Sequence, residues 1–153
     1  MTNISSSSET MVSDHSAQQA ACTADLGQVL VVAASPINRI VLSRIAERAY
    51  LKASAMEPGE AGRTLAAAAA RDRSPGLVIV DMDAALGNAG SLIDLLSALR
   101  SASPRRLPLV IGVVSSCETA TLPALQFDAT VVRPVTPETL QPVIERLIAG
   151  ARG

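Results

Sequence analysis

Four short runs of aliphatic residues punctuate this sequence: VLVV at 29–32, LVIV at 77–80, LVIGVV at 109–114 and ATVV at 129–132. The first three carry no polar residue, so each reads as a strand covered on both faces, because a strand with one wet face alternates apolar with polar. A weaker strand fits Lys52–Ala55, ahead of a turn at Pro58-Gly59. The segments between the strands have helical spacing. Ser35-Pro36 reads as an N-cap followed by a first-turn proline. Ile37, Val41, Ile45 and Ala49 then recur every four residues with Ile40 beside them, an amphipathic stripe expected to face the core, with Arg39, Arg44, Glu47 and Arg48 mainly toward solvent. An Ala-rich helix is expected around Glu60–Arg71, before Ser74-Pro75-Gly76. Another is expected over SLIDLLSALR, with Leu92, Leu95, Leu96 and Leu99 on one face, and a shorter one over about 118–126. Thr136-Pro137 opens a last helix that buries Leu140, Val143, Ile144, Leu147 and Ile148 and is expected to stop at Gly150.

Strands buried on both sides, each followed by a helix, imply a parallel sheet between two helical layers. The expected fold is an α/β, flavodoxin-like doubly wound (βα)5 sandwich, a five-stranded parallel sheet in the order 2-1-3-4-5. The 153 residues suffice for one domain, placed at 28–150. Residues 1–27 hold a Ser run and few large aliphatics and are expected to be a flexible tail, or alternatively a partner-binding or modifiable arm. Only Tyr50 and Phe127 are aromatic, so the core must be aliphatic. Thirteen basic against fourteen acidic side chains leave a net charge of −1, which supplies no field to recruit nucleic acid or an anionic membrane. The single histidine, His15, rules out a histidine-based triad or zinc cluster in the folded part, and Cys22 and Cys117 read as free thiols of a reducing cytoplasm. No apolar run approaches the ~20 residues that span a bilayer, and the N-terminus has no export signal. The expectation is a soluble, cytoplasmic protein.

In this strand order the ligand crevice lies beyond the strand carboxyl ends, at the switch between the first and third strands. That brings Ala33, Ala34, Asp81, Ser115 and Arg133 to one edge. The fragments VLVVAASPINR, LVIVDMD and VVRPVTPETL, in this order, resemble the first-, third- and fifth-strand signatures of response-regulator receiver domains, the phosphoacceptor modules of two-component signalling. The resemblance covers about residues 28–149. It implies Asp81 as the candidate phosphoacceptor, or a strand-end carboxylate that has kept the position without the chemistry. Phosphoryl transfer of this kind needs Mg²⁺ held by carboxylates. The acidic pair that supplies them in the family falls on Ala33 and Ala34, leaving Asp81 and Asp83 as weak candidate metal ligands, with Asp83 alternatively a solvated loop acid. The lysine before a cis proline falls on Arg133, ahead of Pro134, a candidate contact to phosphate or, equally, to the Asp81 carboxylate. The switch hydroxyl position falls on Val113, or on Ser115 after a two-residue shift. The aromatic reporter position carries Thr130.

The resemblance therefore implies a degenerate, non-enzymatic receiver of bacterial type, a pseudo-receiver without a resident cofactor. It would act by phosphorylation-independent contact with a histidine kinase, a phosphotransferase or another regulator, and a homodimer is compatible with it. The family's usual docking faces map to the first helix, Ile37–Tyr50, and to about Glu118–Ile148. Tyr50 is either an anchor or a partly buried core tyrosine, and Arg105-Arg106 either a charged loop or a docking patch. The alternative is a phosphorylation-dependent single-domain regulator that accepts phosphate on Asp81 with Mg²⁺. A third reading takes the Gly87–Gly90 loop as a backbone-amide site for a phosphate-bearing small molecule. The sequence names no partner.

Overall fold

A computed structural model describes residues 24–71, 73–82, 89–115 and 127–152. The tail 1–23 with His15 and Cys22, Asp83, Gly87 and Asn88, Cys117 and the segment 118–126 lie outside the described residues. The elements run β1 (Ala24–Val32), α1 (Pro36–Arg48), β2 (Lys52–Met56), α2 (Pro58–Ala70), β3 (Ser74–Asp81), α3 (Ala89–Ala102), β4 (Leu109–Val114), β5 (Ala129–Val132) and α4 (Pro137–Arg152). The strands form one sheet in the order β2-β1-β3-β4-β5, and every pairing is parallel. This is the doubly wound sheet implied by the sequence. No helix among the described residues is long and apolar enough to cross a membrane.

Strand side chains alternate between two cores. Val29, Val31, Leu77, Ile79, Ile111 and Val113 pack against α1 and α4, while Leu30, Val32, Val78, Val80 and Val110 pack against α2 and α3. A residue on either side of the sheet is therefore out of water, which is why the buried spans 29–32, 77–80 and 109–114 carry no polar side chain. On the second face Arg100 of α3 is buried, pairs with Asp128 at 3.1 Å, and so ties the helix to the start of β5. The Asp128 carboxylate also accepts from the Val110 amide at 2.8 Å.

Several boundaries and faces differ from the sequence expectation. β1 starts at Ala24, so Ala24–Gly27 belong to the sheet and not to a tail. In α1 the buried residues are Leu42, Ile45 and Ala46, whereas Ile37 is 71% and Ile40 55% exposed, and Val41 is exposed as well. A four-residue repeat drifts about 40° around the helix per step, so the Ile37–Val41 end of the stripe rotates off the core. Tyr50 is not a core tyrosine: it is 93% exposed in the left-handed region at φ 66°, and Leu51 enters the core in its place. α3 buries Leu92, Ile93 and Leu96, with Leu95 and Leu99 half-buried. α4 passes Gly150 and ends at Arg152, because Gly150 keeps a negative φ and forms no left-handed cap.

Gly76 is a position where the fold requires glycine. Asp25 pairs with Pro75 and Val29 with Leu77, so Leu26, Gly27 and Gln28 bulge opposite Gly76 alone. A Cβ on Gly76 would stand 2.7 Å from the Leu26 Cα and 2.8 Å from the Asp25 carbonyl oxygen, both backbone atoms. Gly62 in α2 has nothing within 4 Å of the same added carbon. Urea unfolding should therefore show Gly76→Ala destabilised by about 1–3 kcal/mol through overpacking. Gly62→Ala should be stabilised by about 0.5–1 kcal/mol through helix entropy.

Candidate functional site at the carboxyl edge of the sheet

β3 carries Asp81 to the sheet edge with 1% of its surface exposed. The register Val32–Val80 sets Ala33 beside it on one flank, and Asp81 itself pairs with Val113 on the other. The backbone amide of Arg133 donates to the Val114 carbonyl at 2.9 Å. That bond continues the β4–β5 ladder by one residue and delivers the arginine to the same edge, before a cis bond to Pro134. From there an Arg133 Nη2 donates to Asp81 Oδ1, and Arg133 keeps 27% of its side chain exposed.

The other oxygen of Asp81 is held from α1. Ser35 caps that helix, its hydroxyl accepting from the Asn38 amide at 3.4 Å, and Asn38 Nδ2 donates to Asp81 Oδ2 at 2.8 Å. One residue on, Arg39 Nη1 donates to the carbonyl oxygens of Ala33 at 2.8 Å and Ala34 at 3.2 Å. A cavity of about 240 Å³ adjoins the Asp81–Arg133 pair and is walled by Val41, Val113, Pro134 and Val135.

The structure thus gathers Ala33, Ala34, Asp81 and Arg133 at one edge, as the strand order requires. Ser115 is exposed at the end of β4, and Val113, the alternative switch position, is buried beside Asp81 with no hydroxyl to offer. Thr130 is exposed on β5. The sequence pattern singles out neither Asn38 nor Arg39, and it places Arg39 toward solvent. The signal was present: side chains in a first helical turn tilt toward the N-terminus, so a polar residue three positions after the Ser35 cap leans back over the strand ends.

A buried carboxylate is tolerated only where a counter-charge and hydrogen bonds compensate its lost hydration. Arg133 and Asn38 do so here, one on each oxygen. A magnesium site needs near-octahedral oxygens around the ion, with one or two carboxylates free to face it. Ala33 and Ala34 offer only carbonyls, which Arg39 already engages, and among the described residues no group of three or more His, Cys, Asp or Glu side chains can hold a metal ion. The described residues, which do not include Asp83, do not fit the dication that the receiver resemblance implies.

No protein-family model and no curated protein matches this sequence. Solved structures do match its fold. The chemotaxis response regulator CheY4 of Vibrio cholerae is similar over 80% of this chain and 99% of its own, at 20% identity and a TM-score of 0.60. A CheY-like receiver domain from Methylobacillus flagellatus is similar over 80% and 99%, at 18% identity and 0.58. The receiver domain of a Pseudomonas aeruginosa sensor histidine kinase, with a magnesium ion coordinated in its active-site cleft, is similar over 80% and 98%, at 14% identity and 0.61. The fold of this chain is that of CheY-like response-regulator receiver domains.

The Asp81–Arg133 pair yields a direct test. Arg133→Met strands a buried carboxylate and should cost about 3 kcal/mol, the low end for breaking a buried pair because Asn38 stays in place. In an Asp81→Asn background the same replacement should cost less than about 1 kcal/mol, since no charge is left unpaired. Urea titrations of the two single variants and the double variant measure the coupling.

Proposed function

We propose that this chain is a degenerate receiver-like module of two-component signalling that works in the cytoplasm by binding a histidine kinase or a phosphotransferase, without being phosphorylated and without catalysis of its own. The observation that carries this reading is the occupation of both Asp81 oxygens by side chains of the same molecule, Arg133 and Asn38. A carboxylate nucleophile must present a free lone pair to phosphorus beside a compact divalent charge. Asp81 is instead buried with each oxygen held by a side chain of the same molecule, and the alanines beside it offer no carboxylate where the family places its metal ligands.

The contact surface in this reading is the outer side of α1. Ile37, Ile40 and Val41 are exposed there, and Arg44 and Arg48 stand exposed on the same helix. An apolar strip bordered by Arg44, Glu47 and Arg48 suits a helical partner that presents apolar side chains within a charged border.

Intact mass decides between phosphorylation-independent and phosphorylation-dependent action. After incubation with Mg²⁺ and either a small phosphodonor or a phosphorylated kinase, the protein is expected to show no phosphate-sized gain. A gain that Asp81→Asn abolishes overturns the reading and makes Asp81 a phosphoacceptor. At the contact surface, Ile40→Asp should weaken binding of a histidine kinase or phosphotransfer domain about tenfold or more, equivalent to about 1.4 kcal/mol, with Tm unchanged. Undiminished binding removes α1 from the interface.

A further inference from the structure

The oxygens at this edge are the two carboxylate oxygens of Asp81 and the carbonyl oxygens of Ala33 and Ala34, on strands that neighbour each other through the β1–β3 register. Each already accepts a hydrogen bond from the chain itself. Arg133 and Asn38 take the carboxylate, and a single Arg39 nitrogen spans the two carbonyls. Two of the three donors are guanidinium groups, permanently charged and tethered to the fold.

We infer that Arg133 and Arg39 stand in for the divalent cation at this edge, so that the site is assembled without metal and is indifferent to magnesium. Arg133 neutralises the carboxylate, and Arg39 satisfies the carbonyls that β1 turns outward when its strand ends. Guanidinium suits this role because it stays ionised and offers several N–H donors from one rigid plane. An incoming Mg²⁺ has to displace both side chains while facing their positive charge, and it gains no second carboxylate from Ala33 or Ala34. Exchange against a solvated ion, which sheds its water reluctantly, then brings no advantage.

The inference deepens the phosphorylation-independent reading, but its test is separate, since cation binding is read without any phosphodonor. Mn²⁺, titrated into the intact protein and followed by electron paramagnetic resonance, should remain free. Tm should be equal in EDTA and in millimolar Mg²⁺. Mn²⁺ binding by the wild type, or a Mg²⁺-dependent rise in its Tm, overturns the inference. Arg133→Gln should lower Tm in EDTA and recover part of that loss in millimolar Mg²⁺, because the carboxylate then accepts an ion. A folded Arg133→Gln variant indifferent to Mg²⁺ overturns the stand-in role of Arg133, and should the variant not fold, the wild-type Mn²⁺ titration decides. Arg39→Gln should lower Tm, and Arg39→Lys should restore most of it by returning a cation to the two carbonyls. An unchanged Tm in Arg39→Gln removes Arg39 from the arrangement.

Discussion

A carboxylate with 1% of its surface exposed has to be neutralised where it stands, and at the edge of this sheet Arg133 does so. The surrounding architecture serves that meeting. Between Leu77 and Val80 β3 runs through two apolar cores, and Asp81 sits where the strand leaves them. β5 reaches the same edge because it pairs with β4, and the Arg133 amide extends that pairing by one bond. α1 completes the arrangement from the opposite flank with Asn38. Three elements distant in sequence are thereby coupled through one carboxyl group, and loss of its charge or of its partner is felt in all of them.

The contrast with a receiver that holds magnesium lies in where positive charge comes from. In a metal site it comes from solution and leaves again, so occupancy can report a signal. In this chain Arg133, part of the fold itself, supplies the positive charge beside Asp81. The exposed Ile37, Ile40 and Val41 on α1, beside the helical turn that holds Asn38, place an apolar contact strip next to this edge.

Much of this was readable from residue patterns, and the failures have physical causes. The aliphatic runs at 29–32, 77–80 and 109–114 defined buried parallel strands because no half-exposed strand is so uniformly apolar. From the strand order alone Ala33, Ala34, Asp81 and Arg133 had to share an edge. The α1 stripe failed because a spacing of four looks like a helical face over two turns and departs from it over three. Tyr50 failed because aromaticity argues for burial, whereas the left-handed turn after α1 sends Leu51 inward instead. The β1 bulge opposite Gly76 has no linear signature, since it consists of a mismatch between two strands far apart in the chain.

By itself the sequence determined the fold class, because uniformly apolar strands alternating with amphipathic helices imply a doubly wound parallel sheet; that Ala33 and Ala34 stand where receivers carry an acidic pair follows from the resemblance to that family. Only the tertiary structure decided what fills the place of that pair. Arg133 was legible as a candidate partner for Asp81, whereas the place of Asn38 and Arg39 in the first turn of α1 pointed to the strand ends without saying which atoms they reach. Their roles depend on the angle at which α1 crosses the strand ends and on the reach of two side chains across it, and no spacing along the chain encodes a distance between elements that meet only after folding.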